Sequence, residues 1–248
     1  MTGSQPQASV QPPSHPAFVR YPPQAAFGRT LPKSKLYTHC HAGTRLKNLF
    51  VQQVSQIVWQ YKLAPETINL PAQPAVPEIQ VFGITLKTPE LNFDVLRAID
   101  QAVQFPIIFE LAHAGRTQVV ACYKSAAGRT DEANAGLGIG LGPSLSRWVL
   151  SDYFTTGWLA DNAQRSALPV ALHLGSLYEQ WLRALLPLPA RPHETLADQV
   201  GRLAAVAAKQ READKAAARL AKEKQFNRKI TINADLRRLQ RELDALRR

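Results

Sequence analysis

The chain has little cysteine and methionine, and too few acidic residues to balance its basic ones. Only Cys40 and Cys122 occur in 248 residues. Two cysteines exclude a disulfide framework and are too few for a cysteine-based zinc site. No positively charged then apolar leader opens the sequence. No apolar run approaches the ~20 residues that span a bilayer. These absences predict a soluble, cytoplasmic protein with no membrane contact. P-loop, dinucleotide-binding, kinase, hydrolase and zinc-protease signatures are all missing as well.

What is present is a lopsided charge. Lys and Arg number 30 against 19 Asp and Glu, a net of +11. Residues 1–30 hold two basic and no acidic residues, residues 31–190 hold 13 and 11, and residues 191–248 hold 15 and 8. The middle is nearly neutral and the C-terminal segment carries +7. A basic appendage suits nucleic acid or an acidic partner. A solvated helix face rich in Lys and Arg has the same composition.

The organisation follows from periodicity. Residues 1–30, with six prolines, cannot bury a core and predict a disordered or loosely docked leader. Leu46, Leu49, Phe50, Val54, Ile57, Val58 and Tyr61 recur at helical spacing and predict one helix over Thr44–Tyr61, ended by Pro65. Residues 78–87 predict a strand, and Phe93, Leu96, Ile99 and Val103 a helix. Strands are predicted over Pro106–Ala112, Thr117–Lys124 and Arg147–Phe154, the first two joined by a hairpin at Ala114–Gly115. Residues 128–146 form a Gly-rich insertion. It lacks the Lys-Ser/Thr of a P-loop and the strand-to-helix setting of a phosphate site.

Leu174, Leu177, Trp181 and Leu185 predict a helix stopped by Pro187. A long helical stretch follows over 194–224. Phe226–Ile232 is predicted to interrupt it, and Asn233 to cap a last helix. In that helix Ile232, Leu236, Leu239, Leu243 and Leu246 step by four and three, a heptad seam. A seam this short needs cover, from the preceding helix, a second copy of the chain or a partner subunit. The whole predicts an α/β domain over 31–190, of α+β character, with a basic, coiled-coil-like helical arm over 191–248.

Candidate sites are few. The helix and strand order admits a restriction-nuclease-like core. Such a core needs an acidic residue on one strand and an acid-x-Lys triplet on the next, to hold a metal. Glu66, Glu78 or Glu110 with Lys87 or Lys124 is the available set. Cys122 stands where the triplet needs a carboxylate, and a thiol is a poor ligand for Mg²⁺. Cys122 also reads as a small buried hydrophobe. His39-Cys40-His41 are adjacent, which does not let them converge on one metal. No catalytic residue, metal site or cofactor is predicted.

Glu66, Thr67, Asn69 and Glu78 form either turn and cap elements or a docking surface. Lys224, Phe226, Asn227, Arg228 and Lys229 offer a ring, an amide and cations to a nucleic acid. Phe226 also reads as a hydrophobic anchor between two helices.

Two blocks carry a resemblance, Lys62-Leu-Ala-Pro-Glu-Thr-Ile-Asn-Leu-Pro-Ala72 and Lys222-Glu-Lys-Gln-Phe-Asn-Arg-Lys229. The chain resembles a bacterial family whose domain has no assigned function. The likeness runs over about residues 31–248. It departs in the Gly-rich insertion, which is usually shorter, and at His173, where an acidic residue is expected. Members of that family are encoded beside helicases and a DNA methyltransferase, in restriction-like anti-phage gene clusters. The resemblance implies a non-catalytic accessory or adaptor subunit that docks one of those proteins, and the basic arm adds a contact to the partner or to DNA. The alternatives are a divergent metal-dependent nuclease with a degenerate core, or a structural dimerisation module.

Overall fold

The computed structural model describes residues 15–40, 42–126 and 148–248. The chain divides into two compact units, Met1–Leu186 and Pro187–Arg248. The division falls earlier than 190/191. The carbonyls of Leu188 and Pro189 accept from Gln199 and Arg202, which ties them to the second unit.

The first unit is a mixed sheet with helices. Its strands are β1 (Ala26–Thr30), β2 (Val54–Leu63), β3 (Ile79–Leu86), β4 (Ile107–His113), β5 (Arg116–Ala126), β6 (Trp148–Thr155) and β7 (Leu159–Ala160). The order is β1-β2-β3-β4-β5-β6, with β7 also on β5. All pairs are antiparallel except β3 with β4. A parallel pair needs a crossover, and α4 (Asp94–Ala102) supplies it. The β4–β5 hairpin turns on Ala114 and Gly115, both at positive φ (47° and 71°), as a two-residue turn of the right hand requires.

Helices α1 (Lys33–His39), α2 (Thr44–Gln53) and α4 cover one face of the sheet. Phe50, Phe82, Ile84, Leu96, Ile99 and Phe109 are central to the core beneath them. Helix α5 (Leu174–Leu185) lies against β5 and β6 and buries Leu174, Leu177, Trp181 and Leu185, as its spacing predicts. At Gly83 an added Cβ would stand 2.4 Å from Gln60 Nε2. A side chain at position 83 would therefore have to displace the Gln60 amide.

Three expectations fail. First, the helix predicted over Thr44–Tyr61 ends at Gln53, and Val54 begins β2 directly. Ile57, Val58, Trp59 and Tyr61 are strand formers. Register shifts at Val54/Gln56 and Trp59/Tyr61 break the period of two, so the apolar spacing imitates a helix. Pro65 does not end a helix but opens the short α3 (Pro65–Ile68). Second, residues 15–30 are not a disordered leader. Ala17, Phe18, Val19 and Tyr21 are buried, and β1 pairs with β2. Their lone aromatics have no period for sequence reading to catch. Residues 1–14 and the Gly-rich insertion 128–146 lie outside the described residues.

Third, the break in the helical arm sits elsewhere. The second unit pairs α6 (Leu196–Lys222) with α7 (Phe226–Arg247). Only Glu223–Gln225 interrupts them, and Asn233 lies inside α7. The helix runs through Ile230, Thr231 and Ile232 despite their weak helix propensity, and Thr231 bonds back to the Asn227 carbonyl at 3.3 Å. The seam is covered within the chain. Leu239 and Leu243 are buried with Ala213 of α6, and Leu236 packs beside them. Small alanines on α6 allow this approach, so a second copy is not needed to complete it. Leu246 is only half-buried. Its end of α7 is held instead by Arg191 and Arg202, which donate to the Ala245 and Leu246 carbonyls. Leu243→Ala should lower the unfolding free energy of the arm by about 2–5 kcal/mol, and Leu246→Ala by clearly less. Denaturant melts followed by helical circular dichroism test this, and equal losses would contradict it.

Candidate functional site

Inside the first unit, charged groups are paired rather than presented. On the α4 face, Asp100 Oδ2 accepts from the Tyr153 hydroxyl at 2.7 Å and from Cys122 Sγ at 3.5 Å. Asp100 Oδ1 receives no hydrogen bond and faces Lys124 Nζ at 3.8 Å. Lys124 Nζ donates to the carbonyls of Asp100, Val103 and Phe105 at the end of α4. It therefore satisfies carbonyls that a helix C-terminus leaves orphaned. Tyr178 of α5 donates to the Cys122 carbonyl at 2.7 Å.

Burial raises the Asp100 pKa to about 6. It also lowers that of Lys124 and pushes the Cys122 thiol up. A raised thiol pKa keeps Cys122 protonated, which removes it as a nucleophile or ligand at neutral pH. Asp100 was not among the residues singled out from sequence, yet it follows Leu96 by four positions. Helical spacing alone puts it on the buried stripe.

Glu110 belongs to the other face. Its neighbour Phe109 points into the α4-side core, and side chains alternate along a strand. Glu110 takes a two-pronged bond from Arg165, at 2.7 and 2.9 Å, and one from the Tyr21 hydroxyl at 2.8 Å. Arg165 also donates to the Val19 carbonyl at 2.8 Å and lies 4.0 Å over the Phe18 ring. Burial, then the Glu110 charge, keeps Tyr21 a neutral donor by raising its pKa. This network straps residues 18–21 to the sheet. Nothing in the sequence marks Arg165 as its centre.

The nuclease set is therefore not brought together. Glu110 and Lys124 lie on opposite faces. Glu66 pairs with Lys62 at 2.7 Å, and Glu78 contacts Lys62 at 3.4 Å and Gln80 at 2.5 Å. Lys87 is exposed and donates to the Val51 carbonyl. Among the described residues no group of three His, Cys, Asp or Glu is placed to hold a metal. Cys40 Sγ donates to the Leu36 carbonyl, and His41 lies outside the described residues.

The first sequence block builds a turn. Thr67 Oγ1 accepts from the Ala64 amide at 2.9 Å and donates to the Lys62 carbonyl at 2.7 Å. Asn69 closes α3 at φ 55°, a conformation asparagine tolerates. The Pro71 carbonyl then accepts from the Leu174 amide at the start of α5. His173 caps α5, its Nδ1 accepting from the Ser176 amide at 3.0 Å. A carboxylate there would serve the same cap, so the departure at His173 preserves the role. Thr67 and Asn69 thus shape the chain. Beside them opens a cleft of about 570 Å³ lined by Ile68, Asn69, Leu70, Leu168 and Val170. Val170 is 94% exposed, as is Leu172 nearby at 85%.

The second block forms the turn between α6 and α7. Glu223 Oε1 accepts from the Lys224 and Gln225 amides at 2.8 and 2.9 Å. Phe226 and Ile230, four apart on α7, are 75% and 55% exposed. Phe226 is therefore no anchor between helices. Lys224, Asn227, Arg228 and Lys229 are exposed around it. The unit's ion pairs lie away from this turn, among them Arg202 with Glu194 at 2.7 Å and Lys209 with Glu242 at 3.0 Å.

These features define a mixed α/β domain carrying a helical hairpin, with surfaces to offer and its internal charges mutually engaged. The chain belongs to the family described as a domain of unknown function (DUF4391), whose model matches residues 19–243. No curated protein and no solved structure matches it. Among the described residues no helix is long and apolar enough to cross a membrane.

Asp100 supplies a test of its structural role. Its pKa is higher folded than unfolded, so the folded chain holds that proton more tightly. Its contribution is complete below the unfolded value of 3.8, is lost as pH rises through about 6, and is level above. Between those limits the chain should lose up to about 3 kcal/mol of stability through this group. Asp100→Asn, which keeps an acceptor for Tyr153, should flatten that window in denaturant titrations. An unchanged pH profile in the variant would contradict the assignment.

Proposed function

We propose that this chain is a non-catalytic accessory or adaptor subunit of a DNA-targeting, restriction-like defence assembly, acting in the cytoplasm. The α/β unit docks a protein partner, a helicase or a DNA methyltransferase encoded nearby, and the helical unit carries the contact to DNA. The observation that carries the reading is the contrast between inside and outside. Each acid and lysine that a nuclease site would use is engaged by another residue or points away from the rest. The exposed features are an apolar-shouldered cleft and a basic hairpin turn. Apolar side chains as exposed as Val170 and Leu172 suit a surface that another protein covers. The choice of partner rests on the family resemblance.

The nuclease reading has less support, because Glu110 and Lys124 are separated by the sheet. The dimerisation reading has less as well, because the leucine seam is already packed within the chain.

Co-expression with the neighbouring helicase and methyltransferase tests the proposal. The full chain should co-elute with one of them. Val170→Asp with Leu172→Asp should abolish co-elution while leaving the melting temperature unchanged, since both side chains are in solvent. The purified chain should not cut DNA with Mg²⁺ or Mn²⁺. Metal-dependent cleavage that disappears in Glu110→Gln would overturn the reading.

A further inference from the structure

The turn of the helical hairpin combines two properties that a solvated helix end does not need together. The first is charge. Lys215, Arg219, Lys222, Lys224, Arg228 and Lys229 are the cations of residues 215–229, and Glu223 is the single acid there. All six cations are exposed. Among the described residues none of them makes an ion pair, although acids elsewhere in the same unit do. Glu223 is turned onto the backbone amides of Lys224 and Gln225. Lys215, Arg219 and Lys222 step by four and three and so share one stripe of α6, about 10 Å long. The second property is an exposed ring. Phe226 stands in solvent among these cations, with Ile230 one turn along on the same side of α7.

Cations alone would serve duplex phosphates, which a protein can grip without touching a base. On a duplex the base faces are already stacked, so a ring can act there only by prying a step apart, at the cost of unstacking it. On an unpaired strand each base offers a free face, and stacking is sequence-tolerant. An aliphatic neighbour such as Ile230 extends that platform. We propose that the α6–α7 turn binds single-stranded nucleic acid. Phe226 stacks on an exposed base, and Lys222, Lys224, Arg228 and Lys229 hold the flanking phosphates. This deepens the accessory-subunit reading and rests on it for the biological setting, since strand separation is what a helicase partner produces. The binding itself is a property of this chain alone.

Fluorescence anisotropy of the full chain tests it, with a labelled single-stranded oligonucleotide of mixed sequence and the matching duplex. The single strand should bind more tightly, and both affinities should fall steeply with added salt. Phe226→Ala should weaken single-strand binding about tenfold and leave duplex binding unchanged, while Phe226→Trp restores it. Lys224→Glu with Arg228→Glu should remove binding to both. These positions are in solvent, so circular dichroism should be unaltered throughout. Equal affinity for the two oligonucleotides with no effect of Phe226→Ala overturns the inference. So does binding that survives the charge reversal, or a turn that prefers anionic lipid vesicles to oligonucleotide. Any of these with partner co-elution intact removes this inference alone. Failed co-elution with intact single-strand binding removes the accessory-subunit reading alone.

Discussion

The first unit depends on one clamp, the Lys124 ammonium closing the end of α4. That helix is the crossover that lets β3 and β4 run parallel, and its last carbonyls must find donors. Lys124 supplies them from β5, two strands away from where α4 began. A buried ammonium is costly unless paired. Asp100, on the same helix, provides the countercharge, and Tyr153 of β6 orients it. Helix, crossover and two further strands are thereby fixed to one another by one small polar cluster. Removing Lys124 would leave the Asp100 carboxylate buried without a countercharge and three carbonyls without this donor.

The opposite face obeys the same constraint with different parts. Glu110 is buried and must be neutralised, and Arg165 does so from the segment between β7 and α5. The pair carries Tyr21 with it, so the chain before β1 becomes part of the core. This has a functional consequence. Charges that look catalytic in a linear sequence, Glu110 and Lys124 above all, hold the fold together. The features left exposed are the cleft beside α3 and the turn between α6 and α7.

How much of this was legible depended on whether a period survived. Leu174, Leu177, Trp181 and Leu185 keep strict helical spacing, and α5 was readable. Ala114–Gly115 is a short-range signal, and so was its hairpin. The junction of α2 and β2 was not readable, because two irregularities in β2 replace alternation with helix-like spacing. Phe18 and Tyr21 were lost in proline-rich surroundings, where no period exists. The start of α7 was not readable because three β-branched residues, Ile230, Thr231 and Ile232, argue against a helix that nevertheless runs through them. For the sites, composition located the basic arm, and the family resemblance marked the two sequence blocks. Sequence alone could not say that Thr67 turns its hydroxyl into its own loop while Phe226 faces out. Nor could it pair Glu110 with Arg165, 55 positions away.

The central claim is that the sheet's charges are structural and that contact with other molecules is made at the surface of the hairpin turn. Hydrogen–deuterium exchange of the full chain, with and without a single-stranded oligonucleotide, addresses it most directly. Protection should appear over residues 215–232 and leave the amides of β4 and β5 unchanged. Protection centred on β4 and β5, with the turn unaffected, would contradict the account.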